Sequence, residues 1–416
     1  MIRRALTNTG WLMGARGINA VLSLVYLAIA TRELGPERFG IFVIAFTFAQ
    51  LIVGFCSFQT WQAVIRWGQD VEGRKTATGF ALALDAITIV AGAALSALIL
   101  FNFHDLLRLP DKMVVPTYLF TLASLLAVRS TPTGLLRLHD RYDRAAFADA
   151  TTSIIRAVGA GVVVFVKPSI QSFLIVWGAA EVITAVMYWW LAARTEPIHL
   201  GRIGLTRLPR ERAKHGESAW SFVIGTGLSG MLASASSKLV VLLVGIFGGE
   251  AMAGIYRVAA QLGDGLLKLA QALLRAIYPE LVRDPAKARE LAGRITRIAL
   301  FTGMAVVVLA LLVGEWVILA IAGAAYLAAY WPMVLVSAAA AAELAGASLE
   351  ALLVANGRAI LNFVLRGIPM ALGLAALPWL VDRFGAAGAG MVVLATSIAS
   401  VIGFVAATRE RKLAAG

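Results

Sequence analysis

Apolar runs of about 20 residues recur along the whole chain, divided by short polar intervals. A helix of that length crosses roughly 30 Å of hydrocarbon. The pattern predicts twelve spans, at about 10–30, 39–65, 77–102, 114–136, 147–166, 170–192, 217–246, 251–276, 295–319, 332–355, 359–380 and 386–407. The expected fold class is an all-α membrane protein. Between the first two spans lies Gly35-Pro-Glu-Arg-Phe-Gly-Ile-Phe42. A near copy with one extra residue, Gly248-Gly-Glu-Ala-Met-Ala-Gly-Ile-Tyr256, joins spans seven and eight. Glycine and proline form turns, so each copy predicts a tight helix–helix connection.

The repeated turn predicts two related halves. The longest polar interval, Arg194 to Glu217, falls after span six and carries Gly201, Gly204 and Pro209. It divides the chain into an N-terminal lobe at 1–194 (spans one to six), a linker at 195–216 and a C-terminal lobe at 217–416 (spans seven to twelve). Each half has an even number of spans, so the two should share one orientation and be related by an axis along the membrane normal. A second polar interval, Pro279 to Glu290, predicts a short amphipathic helix on the membrane surface.

Composition agrees with this picture: 60% of residues are hydrophobic and 15% charged, with a mean hydropathy of +0.81. Soluble domains are less apolar and carry about a quarter charged residues. The net charge of +13 therefore reads as basic loops facing anionic lipid, with no nucleic-acid partner. With Arg3 and Arg4 inside, the inner segments hold 23 Lys and Arg and the outer loops hold 6. That bias places both termini in the cytoplasm. Met1-Ile-Arg-Arg4 is basic, but the segment from Trp11 is long enough to remain as an anchor, so no cleaved leader is expected. The one cysteine, Cys56, lies in an apolar run, has no partner for an internal disulfide and reads as packing.

Catalytic and cofactor signals are poor. The four histidines fall in loops without metal-ligand spacing, and no phosphate-binding Gly-x-x-x-x-Gly-Lys-Ser/Thr loop exists. No cofactor or metal is expected. Gly225-Thr-Gly-Leu-Ser-Gly230 fits a dinucleotide fingerprint by letter, but it lies inside a span with no strand before it. Close helix packing explains it better.

The informative residues are fourteen charges inside spans: Arg16, Asp85, Arg129, Arg156, Glu181, Lys238, Arg257, Asp264, Lys268, Arg275, Glu315, Glu343, Glu350 and Arg366. Each costs about 2.5–3.5 kcal/mol at mid-membrane against lipid, roughly 40 kcal/mol together. Most must therefore pair, snorkel or line a wet cavity. Arg129, Arg275 and Glu315 lie near span ends, where snorkelling is the simpler account. In span eight, Arg257, Gln261, Asp264, Lys268, Gln271 and Arg275 step by three or four and form one polar stripe. It is either an internal Asp264–Lys268 pair with polar packing or a cationic cavity wall. Glu343 and Glu350, seven apart in an Ala-rich span ten, share a face. They suit a bound cation or proton, while Glu350 and Arg366 equally suit a structural ion pair. Arg16, Arg156, Lys238 and Arg257 come from four spans and suit an anionic ligand.

Ala30-Thr-Arg-Glu-Leu-Gly-Pro-Glu-Arg-Phe-Gly40 resembles the opening of the polysaccharide-unit (Wzx-type oligosaccharide) flippases, of the multidrug/oligosaccharidyl-lipid/polysaccharide exporter superfamily. Gly254-Ile-Tyr-Arg-Val-Ala259, Ala322-Gly-Ala-Ala-Tyr326 and Ala355-Asn-Gly-Arg358 are similar to further turns of that family. Where the family often has an acidic residue late in span seven, this chain has Ser237-Lys238. The resemblance implies two six-helix lobes as a V around a central cavity, in the bacterial inner membrane. It implies alternating access carrying a polyprenyl-diphosphate-linked oligosaccharide to the periplasmic leaflet for lipopolysaccharide or exopolysaccharide synthesis. Its partners would be membrane lipids and polysaccharide polymerase and chain-length proteins. Arg16, Arg156, Lys238, Arg257 and Lys268 would take the diphosphate, and Asp264, Glu343 and Glu350 would couple ions. The rivals are a multidrug exporter of the same superfamily, whose cavity should be acidic, a major-facilitator transporter, a peptidoglycan-precursor flippase, and a non-transporting membrane partner of a polysaccharide assembly complex.

Overall fold

The computed structural model describes the backbone over 2–198, 200–214, 218–281, 288–355 and 358–413. It describes side chains from Gly17 onward, except at 18, 199–200, 212–217, 229, 232–233, 236, 266–296, 348, 351–352, 354–357, 359 and 408–416. The helices are α1 (Ile2–Cys56), α2 (Thr60–Trp67), α3 (Val71–Phe103), α4 (Asp111–Leu126), α5 (Ser130–Leu138), α6 (Tyr142–Val166) and α7 (Ile170–Ala193). They continue with α8 (Arg207–Lys214), α9 (Ala219–Gly248), α10 (Glu250–Leu281), α11 (Ala288–Ile321), α12 (Tyr330–Ala355), α13 (Ala359–Phe384) and α14 (Ala386–Leu413). No strand occurs among the described residues.

Every expected span coincides with helix. Spans one and two are the arms of α1, with α2 extending the second arm, and span four is α4 plus α5. Nine helical segments among the described residues are long and apolar enough to cross a membrane, and α9 holds two shorter apolar stretches, Ala219–Leu228 and Ser237–Gly248. One expectation needs correction. Spans two and four are not continuous: helix stops at Cys56 and resumes at Thr60, then stops at Leu126 and resumes at Ser130. Of the expected surface helix at 279–290, residues 282–287 lie outside the described residues, while 279–281 end α10 and 288–290 begin α11.

The chain forms two compact units. The first comprises Met1–Leu34 and Ile41–Leu242, and the second Gly35–Gly40 and Leu243–Gly416. In the first, Trp177 of α7 is 3% exposed and stands edge-on to Tyr26, Phe42 and Phe173, with ring centroids 5.2, 5.4 and 5.7 Å away. Such aromatic pairs add to the free energy of burial. The polar interval after α7 also packs here. Leu208 of α8 is fully buried with Trp67, Phe80 and Val223. The Arg202 carbonyl sits where a side chain at Gly79 would project.

In the second unit α12 is the central helix, packed against α10, α11, α13 and α14. Small residues permit the approach, as the Ala-rich sequence suggests. A Cβ at Gly303 of α11 would lie 2.7 Å from Ala341 Cβ, and one on Gly346 of α12 equally close to Val401. The repeated turn belongs to this unit. Gly35 and Gly249 both have positive φ, at 69° and 89°, a conformation glycine adopts without steric cost. Each precedes a second glycine by five residues, Gly40 and Gly254. The copies are therefore in register from glycine to glycine, and the extra residue, Gly248, precedes the turn. This pairs Pro36 with Glu250, so the two glutamates do not correspond. The turns meet reciprocally: a side chain at Gly40 would run into the Glu250 carbonyl, and a Cβ at Gly254 would lie 2.7 Å from the Pro36 carbonyl oxygen.

Candidate functional site

Charged side chains of the first unit gather where spans two and four break. The span-four break is written in Ser130-Thr131-Pro132-Thr133. Proline is tolerated in a first helical turn because its missing N–H would be unsatisfied there anyway, and it disfavours helix in the residue before it. This helix-start signal inside an apolar run was available in the sequence. Span two carries only the weaker Ser57-Phe-Gln-Thr60, in which Gln59 adopts φ 53°.

Arg129 immediately precedes α5. It was expected to snorkel at a span end, but the break puts it inside the bundle. Its Nη1 donates to Glu181 Oε2 at 3.0 Å, and its guanidinium lies 5.5 Å from the Tyr188 ring centre. Arg156 of α6 takes the other carboxylate oxygen, with Nη2 donating to Glu181 Oε1 at 2.7 Å. Arg156 is 9% exposed and lies 5.6 Å from the ring centres of both Phe46 and Trp177. Two guanidinium groups thus share one carboxylate, with aromatic faces taking up part of the remaining positive charge. The Nε of Arg156 is buried without a hydrogen-bond partner.

Lys238 of α9 donates through Nζ to the Gln50 carbonyl at 3.0 Å and to Ser234 Oγ at 2.8 Å. Gln50 follows Phe46 by one helical turn. Arg156 and Lys238 therefore both reach the second arm of α1, one turn apart. Gly54, a turn further on, lets α9 close in: a Cβ there would lie 2.7 Å from Ser234 Oγ. Gly227 and Gly230, from the dinucleotide-like motif, likewise face the span-two break. Cβ atoms on them would lie 2.7 Å from Phe58 and from Gln59. They act as packing glycines.

Asp85 of α3 was one of the in-span charges and had no assigned role. The residue is 8% exposed, and its carboxylate joins both breaks. Thr60 Oγ1 donates to Oδ1 at 2.9 Å and Thr131 Oγ1 to Oδ2 at 2.8 Å. Nothing in the sequence pairs Thr60 with Thr131, which are 71 positions apart.

In the second unit the expected residues are dispersed. Arg257 is half-buried and Asp264 exposed on α10. Glu343 accepts a hydrogen bond from Ser397 of α14 at 3.0 Å. Glu350 turns to α13, where Arg366 grips both carboxylate oxygens at 3.0 and 2.6 Å and Asn362 adds a third bond at 3.2 Å. The two glutamates serve different helices, and the ion-pair alternative holds for Glu350. Glu315 lies exposed near the end of α11. The side chains of Arg16, Lys268 and Arg275 lie outside the described residues.

These features define a multi-pass helical membrane protein whose buried charges are paired or capped by hydroxyls. More particularly, the family described as polysaccharide biosynthesis protein matches residues 5–283, and the chain belongs to that family. It is 32% identical over 345 residues to the inner membrane protein YghQ of Escherichia coli (strain K12), across 79% of this chain and 95% of that protein. Among solved structures, lipid II flippase MurJ in an inward closed conformation superposes with a TM-score of 0.74 at 13% identity, over 96% of this chain and 87% of that one. An inward-facing multidrug resistance MATE family transporter of the MOP superfamily gives 0.70 at 16% identity, over 94% of each. The fold is thus the all-α, twelve-span, two-lobe fold of those solved structures.

Proposed function

We propose that this chain moves a polyprenyl-diphosphate-linked oligosaccharide from the cytoplasmic to the periplasmic leaflet of the inner membrane by alternating access, for surface polysaccharide synthesis. Lobes at 1–194 and 217–416, joined by 195–216, would rock about the headgroup, with both chain termini in the cytoplasm. The observation that carries this reading is Arg156 of α6, a buried guanidinium with one donor unpartnered, against the same arm of α1 that Lys238 of α9 reaches one turn further on. A diphosphate needs buried cations with donors to spare, and arginine meets phosphate oxygens with a fixed fork. Family membership supports the polysaccharide pathway, and the name of MurJ, a lipid II flippase, supports a lipid-linked cargo. In this reading Arg16, Arg156, Lys238, Arg257 and Lys268 hold the headgroup. Asp264, Glu343 and Glu350 couple ion movement, and polymerase and chain-length proteins take over the product.

Replacing the chromosomal copy with Arg257→Ala is expected to abolish surface glycan while the protein accumulates at its normal level in the membrane. Unchanged glycan display would overturn the reading. The Arg129–Glu181–Arg156 and Glu350–Arg366 pairs favour a second possibility, a non-transporting membrane partner of the assembly complex. For such a partner, Arg257→Ala would leave lipid-linked intermediates evenly distributed between leaflets. A failed flippase would trap them on the cytoplasmic side.

A further inference from the structure

Glu181 divides its carboxylate between two arginines, and the division leaves one of them short. In an arginine the Nε–H and the Nη2–H point the same way and form a fork that fits both oxygens of a carboxylate. The Glu350–Arg366 pair shows that fork closed: Arg366 Nε and Nη2 donate to the two oxygens of Glu350 at 3.0 and 2.6 Å. Arg156 uses one prong only. Its Nη2 donates to Glu181 Oε1 at 2.7 Å, while the Nε beside it is buried with no hydrogen-bond partner. The oxygen that would satisfy this Nε, Glu181 Oε2, accepts from Arg129 Nη1 at 3.0 Å instead. Phe46 and Trp177, each with its ring centre 5.6 Å from the Arg156 guanidinium, compensate charge but supply no acceptor oxygen.

The contact between α6 and α7 does not hang on this one pairing. The Thr152 and Thr184 hydroxyls are 2.8 Å apart, and Tyr188 donates its hydroxyl to Asp149 Oδ1 at 2.8 Å. These two rungs keep the helices in register whether or not Arg156 holds Glu181. Asp149 is engaged by Tyr188, and neither arginine donates to it among the described residues. Two guanidinium charges therefore share one carboxylate and leave a buried donor over. If Glu181 turned both oxygens onto Arg129, as Glu350 does on Arg366, the whole fork of Arg156 would open and no carboxylate would be stranded. A phosphate has the oxygens to fill that fork. The Arg129 side chain, 28% exposed against 11% for Arg156, is the more accessible edge of the cluster.

We infer that Glu181 is a displaceable counter-anion: it holds Arg156 while the site is empty and passes to Arg129 when one phosphate of a diphosphate headgroup takes the Arg156 fork. Arg156 touches the ligand, whereas Glu181 and Arg129 are positioning residues. The identity of the ligand rests on the flippase reading; the exchange of partners rests on the split carboxylate and the unfilled Nε.

The test is calorimetric binding of inorganic pyrophosphate to the purified full-length chain in lipid nanodiscs at constant ionic strength. The wild type should bind, and absence of binding overturns the inference. Arg156→Lys keeps the charge but loses the fork, so affinity should fall about tenfold. Glu181→Gln keeps the side chain's shape and removes the competing charge, so affinity should rise about tenfold. Simple charge removal would do the same, and Arg129→Lys separates the two accounts. It keeps the charge but cannot receive Glu181 in a closed fork. It should weaken binding severalfold beside Glu181 and leave it unchanged in the Glu181→Gln background. Equal effects in the two backgrounds overturn the exchange. Should Glu181→Gln fail to fold, Arg129→Lys alone decides, and an unchanged affinity overturns it. Polyprenyl diphosphate in the nanodisc should compete with pyrophosphate; failure to compete would make the ligand a free diphosphate and overturn the headgroup assignment. The Arg257→Ala strain keeps the two readings apart. Glycan lost there, with Glu181→Gln not altering affinity, removes this inference alone. Glycan retained, with the expected binding pattern, removes the flippase reading alone.

Discussion

Glu181 and Glu350 each bind arginine, but in different surroundings. The Glu181 and Arg156 side chains are 14% and 11% exposed, whereas Arg366 is 42% exposed. Removing Glu181 leaves a deeply buried guanidinium unpaired, which costs about 3–5 kcal/mol. Removing Glu350 leaves the more exposed Arg366, whose long side chain can snorkel towards the membrane surface, so the cost is smaller. Thermal unfolding in detergent should therefore show a large drop in midpoint for Glu181→Ala and a smaller one for Glu350→Ala. Equal drops would mean the two pairs are equally buried in the membrane. The sequence identified both glutamates as charges that lipid would not tolerate. It could bring Glu350 and Arg366 together because they fall in adjacent spans at similar depth. It could not bring Arg156 to Glu181, since that pairing depends on how α6 and α7 rotate against each other. Nor could it place Arg129, whose position follows from the break before Ser130.

At the scale of elements, glycine decides which helices can touch. A side chain at Gly40 would strike the Glu250 backbone, which cannot turn aside as a flexible side chain would, while a Cβ on Gly225 of α9 has nothing within 4 Å. Gly40→Ala should therefore yield little monodisperse protein on size-exclusion chromatography. Gly225→Ala should be tolerated, or stabilise by up to about 1 kcal/mol through helix propensity. Poor yield of the alanine at 225 would mean another surface packs there. The repeated turn was legible because glycine has few substitutes where φ is positive. Its register was not, because an extra Gly248 offers a second match that only backbone angles reject. Span lengths were legible from hydropathy, and the break in span four was signalled by Ser130-Thr131-Pro132, but the break in span two, at Ser57-Phe-Gln59, was hidden by apolar residues on both sides.

At the scale of the whole molecule, the basic bias of alternate loops predicts which ends of the helices face the cytoplasm. Asp105, whose side chain is 95% exposed, lies in a turn assigned to the periplasm, and Asp140, also exposed, in one assigned to the cytoplasm. A cysteine at 105 in a Cys56→Ser background should react with an impermeant maleimide in intact cells whose outer membrane has been made permeable. One at 140 should react only after lysis of the inner membrane, and the opposite pattern would invert the topology. The twelve-span layout could be read from the chain because the bilayer sets a length that any helix must match. The polar links across the interior could not, because they join side chains far apart in sequence. One such neighbourhood has a practical consequence. Cys56 ends the second arm of α1, and a Cβ on Gly92 of α3 would lie 2.7 Å from its sulfur. Since the wild-type chain has no other thiol, a single fluorophore attached there would report motion of the adjoining 57–59 segment with every native residue but one left unaltered.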